Sequence, residues 1–192
     1  ATFTYETVST GAPGLDTLIG GGLSRGTNTL ISGPSGVGKT TTAVRCALTA
    51  LERGEKVAYY LFDEGLPTLL ARSKALGMDL QPFLDSGHLL IRAIDPAELS
   101  PGEFACNVRE AVENVGVGLI VIDSLNAYLQ AMPGQKFLLL QMHELLTYLN
   151  QQGMVTLLIL GQHGLAQAKP ADPGQGSSNG RDVVQMVGPV VQ

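Results

Sequence analysis

Short apolar runs rich in β-branched residues alternate along this chain with stretches whose apolar positions recur every three or four residues. The runs Asn28–Ser32, Val57–Phe62, Leu89–Ile94, Leu119–Ile122 and Val155–Leu160 read as strands. Between them, Phe104, Val108, Ala111 and Val115 repeat at helical spacing, as do Leu138, Met142, Leu145 and Leu149, and both stripes are expected to face a core. Pro101 heads the first helix and Gly153 lies just past the second, in the positions where helices start and stop. A third helix is expected over Thr41–Arg53, closed by Gly54. Strands alternating with helices predict an α/β fold with a mostly parallel twisted sheet flanked by helices. Gly20-Gly21-Gly22 and the polar run from Ala171 to Gly180 interrupt the rhythm, but neither has the look of a domain linker.

At the end of the first strand, Gly33-Pro34-Ser35-Gly36-Val37-Gly38-Lys39-Thr40 fits G-x-x-x-x-G-K-[ST], the phosphate-binding loop, without mismatch. A chain with 24 glycines invites chance matches. Here, however, a strand (Thr29-Leu30-Ile31) precedes the loop and a helix follows it, which is the setting the motif requires. Glycines let several backbone N–H groups turn toward one anion. Nucleotide phosphates are therefore expected on Gly33, Pro34, Ser35, Gly36, Val37, Gly38, Lys39, Thr40 and Thr41. Lys39 would reach the β- and γ-phosphates, which also places it among the catalytic groups, and the Thr40 hydroxyl would hold Mg2+.

Three further positions carry candidate chemistry. Leu119 to Ile122 is an apolar strand ending in Asp123, whose carboxylate can reach the Mg2+ shell beside Thr40. Alone, a strand ending in Asp often marks only a turn. Asp63 and Glu64 follow another strand. As neighbouring carboxylates they repel one another, which suits one of them to take a proton from water. Glu64 is the expected general base with Asp63 assisting, although an acidic pair before Gly65 can also be plain surface. Gln162 and His163 follow the last clear strand. A carboxamide at 162 can donate to the terminal phosphate and sense its loss, while a histidine there is more often a capping group than a catalyst.

Composition narrows the partners. With 192 residues, 44% hydrophobic and 15% charged, the chain has the makeup of one globular domain. Its net charge is −5 and its pI about 5.1, against the basic face that gripping nucleic acid requires. Cys46 and Cys106 lie far apart, each in an expected helix, and read as small apolar core residues of a reducing compartment. Without a signal peptide or an apolar run near the length of a membrane span, a cytoplasmic location without membrane insertion is expected.

The segment from Ser9 to Gly26 resembles the one preceding the phosphate loop in RecA, RadA and KaiC ATPases, KaiC most of all. Phe62-Asp63-Glu64 resembles KaiC's paired catalytic carboxylates, where two glutamates are usual. Ala75 to Leu80 resembles the passage that follows them. Ile122-Asp123-Ser124-Leu125-Asn126, Asn150-Gln151-Gln152-Gly153 and Gln162-His163-Gly164 are similar to bacterial KaiC-like signalling ATPases. The resemblance covers residues 7–165 or so. It implies a RecA-like core, ATP with Mg2+, and a homo-oligomeric ring, usually a hexamer, with nucleotide between subunits. On that basis the expected function is a Mg-dependent ATPase serving as a nucleotide-dependent assembly and signalling switch of the circadian-clock type. In the family the chain continues into strands whose basic residues reach a neighbour's phosphates. This sequence is therefore expected to be a single domain, 1–192, either truncated at its C-terminal end or from a member that lacks those strands. KaiC's autophosphorylation sites would lie beyond it, so autokinase activity does not transfer. The alternative is a RecA- or RadA-like recombination ATPase. Against it, the loop after Gln162 holds only Lys169 and Arg181 as cations and no aromatic residue for base stacking. A third reading is a regulator that binds nucleotide without turning it over.

Overall fold

The computed structural model describes residues 6–95, 98–130, 135–161 and 185–187. In chain order the elements are β1 (Thr7–Val8), α1 (Pro13–Leu18), β2 (Leu23–Ser24), β3 (Thr27–Gly33), α2 (Lys39–Glu52), β4 (Val57–Leu61), α3 (Leu66–Ala75), α4 (Gln81–Asp85) and β5 (Leu89–Ala93). They continue with α5 (Pro101–Glu110), a single π-helical turn (Ala111–Val115), β6 (Leu119–Asp123), α6 (Leu125–Gln130), α7 (Gln135–Gln151), β7 (Val155–Gly161) and β8 (Gln185–Val187).

Among the described residues the main sheet runs β5-β4-β6-β7-β3-β8. The first five strands pair in parallel, and β8 pairs antiparallel on β3 at the edge. Each parallel strand sits within a residue or two of where its apolar run places it. Side-chain alternation then sorts the core into two layers. Val57, Tyr59 and Leu61 of β4, with Leu119 and Val121 of β6, join the cluster under α2 and α3. Ala58, Tyr60, Ile120 and Ile122 point the other way, into the cluster under α5, α6 and α7. Both faces are covered, which is why these strands carry apolar residues without a polar alternation.

The helices begin and end where local chemistry directs them. α5 opens on a capping box: the Ser100 hydroxyl accepts from the Glu103 N–H at 3.3 Å, and Glu103 accepts from the Ser100 N–H at 2.8 Å. Its expected stripe holds for Phe104, Val108 and Ala111, which are buried, and Val115 packs on the rim of the same cluster. The π-helical turn carries the stripe past Ala111 and ends at Gly116.

Cys106 departs from the sequence expectation. Cys46 is buried, but Cys106 is exposed. Two residues beyond Phe104, at 100° per residue, a helical side chain lies about 200° round from the core-facing one. The stripe that buries Phe104 therefore turns Cys106 to solvent.

The small antiparallel pair β1–β2 and helix α1 fasten the N-terminal segment to the base of the domain. Arg25 bridges Glu6 at 2.6 Å and Glu55 at 3.1 Å, and Arg53 donates to the Ser9 carbonyl at 3.0 Å. Asp16 accepts from the Ser9 hydroxyl (2.6 Å), the Thr10 hydroxyl (2.7 Å) and the Thr10 N–H (2.9 Å). Burial works against its charge, but these donors outweigh burial and hold the carboxyl below its ordinary 3.8. A lowered folded pKa supplies stability above the unfolded value that is lost as pH falls through the folded one. Asp16→Asn is thus expected to lower stability by about 0.5–1 kcal/mol at neutral pH, because solvent screens these contacts. In urea unfolding, the gap to the parent should narrow as pH falls through the lowered folded pKa. A gap that does not change with pH contradicts the assignment.

Candidate phosphate-binding and catalytic site

Because β4, β6, β7 and β3 are parallel, the segments that follow them emerge along one edge of the sheet. That edge is where open α/β sheets gather ligand-binding groups. Gly33 is the last residue of β3, and the chain turns from it into α2 with the Val37 side chain close over Gly33. Gly36 and Gly38 have φ of 83° and 91°, yet a Cβ on either would meet nothing within 4 Å. Backbone conformation therefore selects glycine there, rather than shortage of room.

Gly38 is the N-cap of α2. No side chain caps this 14-residue helix, and no acidic residue occupies its first turn. The N–H groups of that turn, with the positive end of the helix dipole behind them, form a site suited to an anion. Lys39 adds a full positive charge and folds back on the loop, donating to the carbonyls of Gly33 at 2.9 Å and Pro34 at 2.6 Å.

Across the sheet, β6 delivers Asp123 to the same edge. The Tyr59 hydroxyl donates to Asp123 Oδ2 at 2.9 Å, and the Thr40 side chain lies near enough to the carboxylate to favour its charged form. Asp123 is only 7% exposed. Burial raises its pKa, the two hydroxyls offset part of that rise, and the charges of Glu64 and Asp63 add to it. Burial likewise lifts Tyr59 well above its ordinary value, with Asp123 adding to the effect, so the phenol stays protonated and donates. A hydroxyl and a carboxylate beside an anion-binding loop form a hard-oxygen set that fits Mg2+ carried by a nucleotide. The ion would stabilise the charged form of Asp123 that burial disfavours.

Asp63 and Glu64 each take a partner of their own rather than facing one another. The Ser124 hydroxyl donates to Asp63 Oδ2, tying the tip of β4 to the end of β6. Glu64 receives both terminal nitrogens of Arg72, at 2.6 and 2.9 Å, in a two-pronged ion pair with the last turn of α3. Phe62 anchors the pair from behind. Its N–H donates to the Asp123 carbonyl at 2.7 Å, and its ring meets Phe104 and Tyr128 edge-on with centroids 5.4 and 5.7 Å away.

Gln162 and His163 lie outside the described residues. The residue before them, Gly161, exchanges two hydrogen bonds with the Asn126 side chain, at 2.6 and 2.9 Å, which pins the end of β7 to α6.

The structure thus gathers Lys39, Thr40 and Asp123 at one edge, with Asp63 and Glu64 close enough for their charges to act on Asp123. Sequence inspection gave no role to Tyr59, Arg72, Ser124 or Asn126. Ser124 and Asn126 stand inside a motif. Tyr59 reads as one more core residue of an apolar strand, and Arg72 is eight residues from its carboxylate.

Among the described residues no helix is long and apolar enough to cross a membrane. Residues 8–179 match the family model of the KaiC ATPase. The chain is 34% identical over 122 residues to the circadian clock protein KaiC2 of Synechocystis sp., covering 63% of this chain and 22% of that protein. It is 38% identical over 124 residues to the protein RecA of Clostridioides difficile, covering 64% of this chain and 32% of RecA. It is 29% identical over 157 residues to the DNA repair and recombination protein RadB of Pyrococcus abyssi, covering 81% and 66%. The chain thus spans only a part of these curated relatives, from 22% to 66% of their lengths. A match over most of the chain, on a RecA-like α/β core with its phosphate loop at the expected sheet edge, shows the family: this chain belongs to the KaiC ATPases.

Proposed function

We propose that this domain binds ATP with Mg2+ on the loop from Gly33 to Thr41 and hydrolyses it, acting in the cytoplasm as a nucleotide-dependent assembly and signalling switch. The observation that carries the reading is that β6 brings the buried Asp123 to the same sheet edge as the loop after β3, where Thr40 at the start of α2 acts on its carboxylate. This joins an anion-binding loop to a metal-holding carboxylate. In the proposed roles, Lys39 and the first N–H groups of α2 hold the phosphates and meet the charge that builds on them. Thr40 and Asp123 hold Mg2+, which supplies charge neutralisation when bound. Glu64 accepts the proton of the attacking water. Arg72 engages one lone pair on each Glu64 oxygen, leaving others free to accept, and keeps the carboxylate oriented. Asp63, held by Ser124, assists, and Gln162 senses the terminal phosphate.

The relatives support two kinds of readout. KaiC2 is named as a circadian clock protein, while RadB is named as a DNA repair and recombination protein. The net charge of −5 favours the first, because a filament on DNA draws on phosphate contacts from cations. ATP turnover measured with and without single-stranded DNA separates them. Turnover unaffected by DNA supports the switch, stimulation by DNA supports recombination, and binding without turnover overturns the enzymatic reading.

Assembly is expected to follow nucleotide. A ligand bound at a subunit boundary stabilises that boundary by mass action. Light scattering after size exclusion should show a shift from monomer to larger species under a non-hydrolysable ATP analogue. A chain that stays monomeric at saturating analogue contradicts the switch.

A further inference from the structure

We infer that Tyr59 is a positioning residue for the metal-holding carboxylate, its hydroxyl fixing the orientation in which Asp123 meets Thr40 and the cation accompanying the nucleotide. The inference rests on the Mg-nucleotide reading above and adds to it a residue with no motif of its own.

The register of the sheet makes the contact. Tyr59 of β4 lies opposite Val121 of β6, and Leu61 lies opposite Asp123. Tyr59 and Asp123 are therefore diagonal neighbours on the face that α2 covers, a separation that a long aromatic side chain spans. The phenol closes the gap with its hydroxyl 2.9 Å from Asp123 Oδ2.

The packing does not call for this hydroxyl. Tyr59 is fully buried in the apolar cluster beneath α2 and α3. A phenylalanine would fill the same space without placing a polar atom in the core. A buried hydroxyl is unfavourable unless partnered, and here the partner is a carboxylate that is itself buried. The pairing ties up Oδ2 and leaves the carboxylate little freedom to turn. Outer partners of this kind orient metal-holding groups, and their loss typically weakens the metal by about 10- to 100-fold.

The neighbouring residue supplies an internal control. Tyr60 is equally buried, but it faces the opposite layer and donates to the Asn107 carbonyl of α5 at 3.3 Å. Tyr60→Phe deletes the same atom from the same strand without touching Asp123.

The test titrates Mg2+ against a fluorescent ATP analogue bound to the parent chain, Tyr59→Phe and Tyr60→Phe. Analogue affinity in chelator and thermal unfolding are followed alongside. Tyr59→Phe is expected to need about tenfold more Mg2+ for half-maximal analogue binding, with its metal-free affinity unchanged. Tyr60→Phe should keep the parental Mg2+ requirement whatever it does to stability. Tyr59→Leu also lacks the hydroxyl but packs worse, so it should share the Mg2+ shift of Tyr59→Phe while unfolding at a lower temperature. Parental Mg2+ dependence retained in Tyr59→Phe overturns the inference, as does an equal shift in Tyr60→Phe. A parent whose analogue binding ignores Mg2+ overturns the metal reading itself and this inference with it.

Discussion

Lys39→Ala is expected to lose tight ATP binding, with an affinity about a hundredfold weaker than that of the parent. Lys39 stands in the first turn of α2, where the helix dipole and uncapped N–H groups already favour an anion. Its ammonium reaches the carbonyls of Gly33 and Pro34, so the stem spans the loop and the charge lies against it. A hydrogen bond to a charged group contributes about 1.5–3 kcal/mol net, and each 1.4 kcal/mol is about tenfold in affinity. Lys39 is expected to make more than one such contact with phosphate, which places the loss near the upper end. A fluorescent-nucleotide titration checks it. Unchanged affinity in a variant that unfolds at the parental temperature contradicts a phosphate-binding role for the loop.

The second large effect is on chemistry rather than binding. Glu64→Gln should bind ATP like the parent yet release phosphate about 10²–10⁴-fold more slowly, the span for losing a general base. Glutamine keeps the shape and removes the proton-accepting charge. It also weakens the ion pair with Arg72, which is two-fifths exposed and so contributes little to stability. The unfolding temperature should therefore move little while turnover collapses. Single-turnover phosphate release from Glu64→Gln and Asp63→Asn separates the neighbours. If Asp63→Asn is the slow variant and Glu64→Gln is not, the two roles are exchanged. If neither is slow, the pair is acidic surface.

The layered core was legible because both faces of the sheet are buried, so its strands stand out as apolar runs. The phosphate loop was legible because its chemistry is local: strand, glycines, lysine, threonine and helix follow one another from Thr27 to Glu52. Asp123 could be found for the same reason, as a carboxylate closing an apolar strand. What stayed hidden depends on pairing between strands or on the turn of a helix. The contact of Tyr59 with Asp123 needs the β4–β6 register, which no single segment encodes. The bond between Ser124 and Asp63 crosses the same pair of strands. Arg72 reaches Glu64 only because α3 starts just after the acidic pair and its last turn carries a long side chain that spans back to the carboxylate. The exposure of Cys106 was present in the stripe of α5 and needed only its angle from Phe104 to be counted.

In the function proposed above, the loop, Thr40 and Asp123 together form a site for a magnesium nucleotide. Calorimetric titration of the intact chain with a non-hydrolysable ATP analogue, in Mg2+ and again in chelator, checks this. One nucleotide is expected per chain, bound more tightly with Mg2+ than without, and Asp123→Asn is expected to lose that Mg2+ advantage. A chain that binds no analogue, or whose Asp123→Asn variant keeps the full Mg2+ advantage, contradicts it.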